Sequence, residues 1–272
     1  PAIPAPARTA LAIGNFDGVH LGHQALLKRV REQALALGPQ AIAAALTFEP
    51  HPRELFRPDS APARITPLRD KACLIGRCGI DLLCFARFGE ALASLSPAEF
   101  VQEILVRRLR AACVSVGENF TFGRGGAGSA EDLVRLGRKA GIEVLAAPLL
   151  EQAGERISST RVRALLAAGR LEEAARLMGH PCTVTGRVQH GARLGRTIGF
   201  PTLNLRPLPP GCPARPALEG VFLVRIRGLE PGRALFGVCS MGSRPTVGQG
   251  LACTCETNVL DWQGDAYGRL IQ

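Results

Sequence analysis

The chain has 272 residues, of which 46% are hydrophobic, 21% charged and 5% aromatic, and its formal net charge at pH 7 is +10. This composition excludes a disordered chain, and the absence of any run of about 18 apolar residues excludes a transmembrane helix, so one large or two modest globular domains are expected. The basic residues are scattered and almost all Arg, and aromatic residues are few, which weakens the interpretation of the charge as a nucleic-acid-binding surface. Small phosphorylated substrates explain the charge equally well, and so does a codon bias toward Arg and Ala. We expect small-molecule substrates and neither a nucleic-acid nor a membrane partner.

The N-terminal residues 1–8 are rich in Pro and Ala and lack a basic stretch followed by an apolar one, so no secretory signal is predicted. The chain has nine cysteines, none of them in a C-x-x-C pair, which fits neither a zinc site nor a small disulfide scaffold. We therefore expect reduced, mostly buried thiols in a cytoplasmic protein.

The first half of the chain alternates short apolar runs with stretches whose apolar residues recur at helical spacing. Strands are predicted at 9–13, 41–48, 82–85, 113–116 and 142–146. Helices are predicted at 24–37, 97–109, 130–140, 160–166 and 171–178. This alternation implies an α/β, Rossmann-like fold with a parallel sheet covered on both faces, whose ligands bind at the carboxyl ends of the strands.

The pattern changes at Pro181, after which Gly and Pro separate short alternating runs. Strands are predicted at 183–189, 221–227, 235–240 and 252–260. These runs predict a small antiparallel β-barrel or sandwich. We place the domain boundary at residue 180, which gives one domain at 1–180 and another at 181–272.

The strongest local signal is G-N-F-D-G-V-H-L-G-H at residues 14–23, where a predicted strand ends and a helix begins. Backbone N–H groups and the dipole at a helix start bind anions, and glycines let the backbone approach a phosphate. His20 and His23 can then donate hydrogen bonds to phosphoryl oxygens, which suits phosphoryl or nucleotidyl transfer. Taken alone, an H-x-x-H pair is more often two histidines that cap or pack a helix.

Three further stretches stand at the ends of predicted elements. F-E-P-H-P at 48–52 and G-E-N-F-T-F-G at 117–123 each follow a strand, whereas I-S-S-T-R-V-R at 157–163 opens a helix. Serines at a helix start with Arg in the first turn would cradle a phosphate. An ordinary serine cap with solvated arginines explains the same residues equally well.

Two polar patterns mark the second half. Thr202 and Asn204 are two residues apart and share one face of a strand, and two neutral oxygens supplemented by phosphates and water suit Mg²⁺. Glu256 shares a strand face with Thr254 and Asn258, and a carboxylate there can act as a general base toward a hydroxyl. A solvated strand face is the commoner explanation of both patterns.

Together these motifs resemble those of the prokaryotic bifunctional riboflavin kinase/FMN adenylyltransferase family, in family order over residues 9–269. Residues 14–23 resemble the H-x-G-H signature of nucleotidylyltransferases in its FAD synthetase form. G-F-P-T-L-N at 199–204, G-S-R-P-T at 242–246 and the stretch 256–268 resemble motifs of the riboflavin kinase domain. The resemblance implies a nucleotidylyltransferase domain followed by a small antiparallel β-barrel.

The resemblance also implies roles for individual residues. The implied catalytic residues are His20, His23 and Glu256. The implied contacts to ATP and its phosphates are Gly14, Asn15, Phe16, Asp17, Gly18, Ser159, Thr160, Arg161, Gly195 and Arg196. The implied flavin contacts are Pro50, His51, Asn119 and Phe120. Thr202 and Asn204 would bind Mg²⁺, and ATP, riboflavin, FMN and FAD would be the substrates and products.

The implied function is the synthesis of FMN from riboflavin and ATP, and of FAD from FMN and ATP. The family's kinase domain continues past the position of Gln272, so the alternative is an FMN adenylyltransferase with an inactive kinase domain. Adenylyltransferases for pantetheine phosphate or nicotinamide mononucleotide are rivals that lack the second half. A non-catalytic flavin- or RNA-binding protein would not need the complete set of candidate catalytic and metal-binding residues.

Overall fold

The computed structural model describes residues 7–152, 154–191, 200–209, 212, 214–246 and 250–272. They fall into two compact units, the first formed by Pro1–Arg57 and Ala72–Ser158 and the second by Pro58–Lys71 and Ser159–Gln272. The boundary at residue 180 stays a prediction. Within the described ranges, no helix is both long enough and apolar enough to cross a membrane.

The first unit is built on a five-stranded sheet. Its strands are β1 (Thr9–Ile13), β2 (Ile42–Glu49), β3 (Leu82–Arg87), β4 (Ala111–Gly117) and β5 (Glu143–Ala147). They lie in the order β3-β2-β1-β4-β5, and every neighbouring pair is parallel. All five residues of β1 are buried, as expected for a central strand covered on both faces. The predicted parallel sheet is confirmed.

Helices supply the cover on both faces of this sheet. Up to residue 158 the helices are α1 (Leu21–Leu37), α2 (Pro52–Phe56), α3 (Leu68–Arg77), α4 (Glu90–Ala93), α5 (Pro97–Glu99), a π-helix at Phe100–Arg108, α6 (Ala130–Lys139), and two 3-10 helices at Pro58–Ser60 and Arg124–Gly126. A short hairpin, β6 (Glu151–Gln152) and β7 (Glu155–Arg156), follows β5. Leu27 of α1 packs in one core cluster with Ala10, whereas Leu105 and Leu133 pack with Leu11 in the other.

The second unit combines two helices with antiparallel strands. Its elements from residue 159 onward are α7 (Ser159–Ala167), α8 (Leu171–Met178), β8 (Gly186–Arg187), β9 (Thr202–Leu205), β10 (Gly220–Glu230), β11 (Arg233–Thr246), β12 (Gly250–Val259) and β13 (Leu270–Ile271). Four strands form a sheet in the order β10-β11-β12-β9, and β13 pairs with β8. This antiparallel arrangement is the one expected of the riboflavin kinase barrel.

Asp70 connects an early segment of the chain, Pro58–Lys71, to later residues of the second unit. Its carboxylate is 2% exposed and accepts hydrogen bonds from the Thr183 hydroxyl at 3.1 Å, the Thr185 hydroxyl at 2.6 Å and the Thr185 N–H at 2.8 Å. A strand was predicted at 183–189. Thr183 and Thr185 bond to the Asp70 carboxylate, and β8 covers only Gly186–Arg187 of that range. Nearby backbone bonds join Arg64 to Arg215 and Ala217, each at 2.7 Å.

We expect Asp70→Ala to lower the free energy of unfolding of the second unit by about 3 kcal/mol, because half-buried donors on Thr183 and Thr185 lose a charged acceptor. Urea unfolding, followed by the fluorescence of Trp262, measures the change. Asp59→Ala removes an exposed carboxylate from the same segment and should leave the transition within about 0.5 kcal/mol of the parent. Equal transitions for the two variants would contradict this role of Asp70.

Candidate functional sites

Three predicted site loops leave the same edge of the parallel sheet. β1, β2 and β4 are the three central neighbours, and residues 14–20, 50–51 and 118–120 follow directly from their carboxyl ends. The first loop is also bonded to β2, because the Thr47 hydroxyl of that strand donates to the carbonyl oxygen of Asn15 at 3.1 Å. The sheet topology therefore gathers candidate residues that are far apart in sequence.

The two histidines of residues 14–23 form a stacked pair at the start of α1. His20 is the N-cap, with an extended backbone, and its Nδ1 accepts a hydrogen bond from the His23 N–H at 3.3 Å. The rings lie 3.6 Å apart between centroids with an interplanar angle of 16°. Since Nδ1 is the acceptor, a neutral His20 ring has its proton on Nε2.

The loop that presents these histidines has an unusual backbone. Phe16, Gly18 and Val19 all have positive φ, at 49°, 85° and 36° respectively. Such angles are strained for Phe and Val, and cost on the order of 1–3 kcal/mol each. Phe16 and Val19 are 0% and 1% exposed, so their packing in the core offsets the strain. Phe16 also meets the His23 ring edge-on at 5.3 Å and so helps to fix it.

Gly22 lies between the two histidines, where even a Cβ atom would crowd the His20 ring. A Cβ at this position would lie 3.2 Å from Cε1 and Nδ1 of His20, a tighter approach than side chains normally make. The same Cβ would lie 3.9 Å from the carbonyl oxygen of Ile157, the first residue of the predicted 157–163 motif. Ser159, Thr160 and Arg161 open α7 in the second unit, and their action on the same ligand stays a prediction.

The candidate flavin residues are partly used by the fold itself. His51 N-caps α2, accepting from the Arg53 N–H through Nδ1 at 3.1 Å, and it follows Pro50, whose peptide bond to Glu49 is cis. Phe120 stacks on Phe122 at 5.7 Å and packs against the core. Asn119 lies close to the end of β4, since a Cβ at Gly117 would be 3.1 Å from its Oδ1.

The buried amide of Asn15 has an unmet acceptor. Within the part of the chain that the structure describes, its side-chain Oδ1 is buried and has no hydrogen-bond partner. An unpaired buried acceptor is destabilising unless a ligand supplies a donor. With the His20 donor and the first N–H groups of α1, this edge of the sheet can bind a polyanion that also carries a hydrogen-bond donor.

The second candidate site lies on the four-stranded sheet. β9 and β12 pair so that Asn204 stands opposite Glu256, and Thr202 opposite Asn258. Residues directly opposite in an antiparallel pair point to the same face, as do residues two apart. The pairing therefore brings Glu256 into one polar cluster with Thr202 and Asn204, which precede it by more than 50 residues.

Neighbouring groups hold Asn204 in position. Its Nδ2 donates to the carbonyl oxygen of Thr202 at 3.3 Å, which leaves the amide oxygen as the atom suited to a cation. The backbone carbonyl oxygen of Asn204 accepts a hydrogen bond from the Gln189 N–H at 2.9 Å. Gly191 lies so close to the Asn204 side chain that a Cβ at Gly191 would be 2.6 Å from the amide atoms of Asn204.

The donor set of this cluster fits Mg²⁺ only if other ligands complete the shell. Thr202 and Asn204 supply neutral oxygens, and the described residues hold no group of three or more His, Cys, Asp or Glu that could bind a metal ion by itself. Mg²⁺ keeps several waters and phosphate oxygens, so a sparse protein contribution suits it. Gly195 and Arg196, predicted to contact phosphate, lie outside the described residues.

The sequence interpretation assigned no individual role to three residues that the structure singles out: Gly22, Gly191 and Asp70. The two glycines are required by close approach rather than by a turn, a contact that only the folded structure contains. Asp70 sits in a charged stretch, L-R-D-K, that is typical of a solvated helix start. Its partners are more than 100 residues away, so no local pattern could have identified it.

Comparisons with known proteins cover both units. Residues 2–161 match the family model described as FAD synthetase, and residues 178–272 match the one described as riboflavin kinase. The bifunctional riboflavin kinase/FMN adenylyltransferase of Escherichia coli (strain K12) is 41% identical over 265 residues, which is 96% of this chain and 81% of that protein. The protein of the same name from Pseudomonas fluorescens is 44% identical over 94% of this chain and 80% of its own length.

One solved structure shares the fold along almost the whole chain. It is described as a macrolide-efflux protein from Streptococcus pneumoniae, and it is 29% identical with a TM-score of 0.74. The similarity covers 99% of this chain and 85% of that one, so it extends over both units.

Proposed function

Because this chain belongs to the bifunctional riboflavin kinase/FMN adenylyltransferase family, we propose that its two reactions run at the two sites described above. Riboflavin and ATP give FMN and ADP in one reaction, and FMN and ATP give FAD and pyrophosphate in the other. The match of residues 178–272 to riboflavin kinase does not favour the alternative of an adenylyltransferase alone. The pairing of Asn204 with Glu256 is the observation that carries the assignment of the kinase site.

We propose that adenylyl transfer takes place at the start of α1. A phosphate oxygen of FMN attacks the α-phosphorus of ATP, pyrophosphate leaves, and negative charge builds up on the phosphoryl oxygens. The His20 Nε2–H and the His23 ring would donate hydrogen bonds to those oxygens, and the first N–H groups of α1 would add a fixed positive dipole. The unmet Oδ1 of Asn15 would accept from a donor group of ATP.

The loops that follow β2 and β4 would hold the flavin of FMN beside this centre. Pro50 and His51 follow β2, which is one neighbour of β1, and Asn119 and Phe120 follow β4, which is the other. Because Nδ1 of His51 accepts a hydrogen bond from the Arg53 N–H of α2, the orientation of the ring is fixed beside this loop. Gly14, Phe16, Asp17 and Gly18 would line the ATP side of this site.

We propose that kinase chemistry takes place on the face shared by β9 and β12. Glu256 would accept the proton of the ribityl 5′-hydroxyl as its oxygen attacks the γ-phosphorus of ATP and ADP leaves. Thr202 and Asn204 would hold Mg²⁺ through their oxygens, and the ion would neutralise charge on the ATP phosphates when bound. The hydrogen bond from Nδ2 to the Thr202 carbonyl keeps the Asn204 amide in one orientation.

We further propose a cytoplasmic location, where ATP and free flavins are both available. In the part of the chain that the structure describes, no disulfide bond joins any of the nine cysteines, and four of them are buried. Such a set of thiols suits a reducing compartment.

Chromatography of the flavins tests the proposed function. The purified protein is incubated with riboflavin or with FMN, together with ATP and Mg²⁺. We expect riboflavin to yield FMN and then FAD, and FMN to yield FAD with release of one pyrophosphate for each FAD. An absence of both products from a folded protein would overturn the proposal, and FAD formation from FMN alone would overturn its kinase half.

Gly22→Ala should reduce FAD synthesis about tenfold, because a Cβ 3.2 Å from the His20 ring displaces the donor from its phosphoryl oxygen. Gly76→Ala is a matched control, since Gly76 also lies in a helix and a Cβ there would meet no atom within 4 Å. That control should keep the parent rate. Rates of FAD formation from FMN measure both effects, and a Gly22→Ala enzyme as fast as Gly76→Ala would contradict the spacing requirement.

A further inference from the structure

Two cysteines stand side by side within the second unit. Cys239 lies on β11 and Cys255 on β12, and both are buried, at 3% and 4% exposure. Their Sγ atoms are 3.4 Å apart and share a hydrogen bond. A disulfide bond is about 2.05 Å long, so the two sulfurs need to approach each other by roughly 1.4 Å to become bonded.

A cavity gives this pair contact with small molecules. It has a volume of about 550 Å³ and lies within the second unit, and Cys239 and Cys255 both line it, along with Met241 and Thr257. Ile226 and Leu205 contribute to its apolar wall. A cavity of this size admits a small uncharged reagent, so burial by itself does not protect the thiols.

The hydrogen bond makes the two thiols chemically unequal. With Cys255 as the donor, this bond lowers the pKa of the Cys239 thiol and raises that of Cys255. A thiolate at Cys239 is the nucleophile that reacts first with an oxidant, and a neighbouring thiol is what then resolves the product. The other buried cysteine of β12, Cys253, does not line the cavity, and burial raises its pKa to about 12.

We propose that Cys239 and Cys255 form an oxidisable dithiol that controls the kinase site. A hydroperoxide converts the Cys239 thiol to a sulfenic acid and is itself reduced to water or an alcohol. The Cys255 sulfur then attacks the sulfenic sulfur, the sulfenic hydroxyl leaves with the Cys255 proton as water, and a disulfide forms. Overall the two thiols lose two electrons and two protons, and the hydroperoxide gains both.

The link to activity rests on the proposed role of Glu256. Cys255 precedes Glu256 on β12, and Cys239 precedes Ser240, the residue of β11 that stands opposite Glu256. Drawing the two sulfurs together shifts β11 and β12 against each other at the position of the general base. Displacement of a catalytic group by about 1 Å lowers rates by up to roughly a hundredfold, so a clear loss of FMN formation is expected.

Peptide mapping of the full chain tests the proposal. The protein is treated with hydrogen peroxide, remaining thiols are alkylated, and chymotryptic peptides are weighed with and without reduction by dithiothreitol. We expect a reducible cross-link between Cys239 and Cys255 in the parent and in the matched control Cys253→Ser. Cys239→Ser and Cys255→Ser should lack it. Full alkylation of both cysteines after peroxide treatment would overturn the site.

Activity before and after oxidation tests the second half of the proposal. FMN formation should fall about tenfold or more on oxidation, recover with dithiothreitol, and persist in oxidised Cys239→Ser. A complete cross-link with an unchanged rate of FMN formation would overturn control of the kinase site. A parent that makes no FMN even when reduced would instead overturn the kinase assignment, and the mass measurement would still decide whether the dithiol reacts.

Discussion

Glu256→Gln should lower FMN formation by roughly 10²- to 10⁴-fold, the usual contribution of a positioned general base. The substitution keeps the size and strand geometry of the side chain but removes its ability to accept the hydroxyl proton. The affinities for riboflavin and ATP should change little, because the carboxylate acts mainly in the transition state. Steady-state rates over a range of riboflavin concentrations separate kcat from KM, and we expect the loss to appear in kcat.

Two controls define that experiment. Glu230→Gln neutralises another strand glutamate, at the end of β10, and should leave FMN formation at the parent rate. FAD synthesis from added FMN should be unchanged in the Glu256→Gln enzyme, since that reaction is assigned to the other site. Near-normal FMN formation would identify Glu256 as an ordinary solvated strand glutamate opposite Asn204.

His23→Ala should lower FAD synthesis from FMN by about 10²- to 10³-fold, the range for loss of one preorganised donor to phosphoryl oxygens. The removed ring is also the one stacked on His20 at 3.6 Å, so the remaining donor loses support as well. The rate of pyrophosphate release with FMN and ATP measures the effect. FMN formation from riboflavin should persist.

The matched control is His180→Ala, which removes a histidine outside residues 14–23 and should keep both activities. Equal loss of FAD and FMN formation in a folded His23→Ala protein would argue against separate sites. Circular dichroism of the variant distinguishes such a result from unfolding, because Phe16 and Val19 rather than His23 fill the core beneath the loop.

The elements of the first unit could be predicted closely from apolar spacing. The predicted helix at 24–37 ends with α1 at Leu37, and the strand predicted at 9–13 coincides with β1, because each has a buried face that dictates its residues. Prediction was weaker in the second unit. The strand predicted at 235–240 is the centre of β11, which runs from Arg233 to Thr246. Gly242 and Pro245 interrupt the apolar pattern there without ending the pairing.

The two candidate sites also differ in how far the sequence alone predicts them. The stretch around His20 and His23 could be recognised locally, because a strand end, glycines and a helix start adjoin in sequence. The facing pair of Asn204 and Glu256 could not, since its register depends on how β9 meets β12. Only the family resemblance connected those residues beforehand. Each pattern alone was better explained as a solvated strand face.

The bonds of Asp70 also impose an order on synthesis. Thr185 is 115 residues further along the chain, so a ribosome that adds about 5–20 residues per second reaches it roughly 6 to 23 s after Asp70. All residues of the first unit have been added by Ser158, before that partner exists. During this interval Pro58–Lys71 is a nascent segment whose hydrogen bonds to Thr183, Thr185 and Arg215 cannot yet form, and it is then most open to proteases and chaperones.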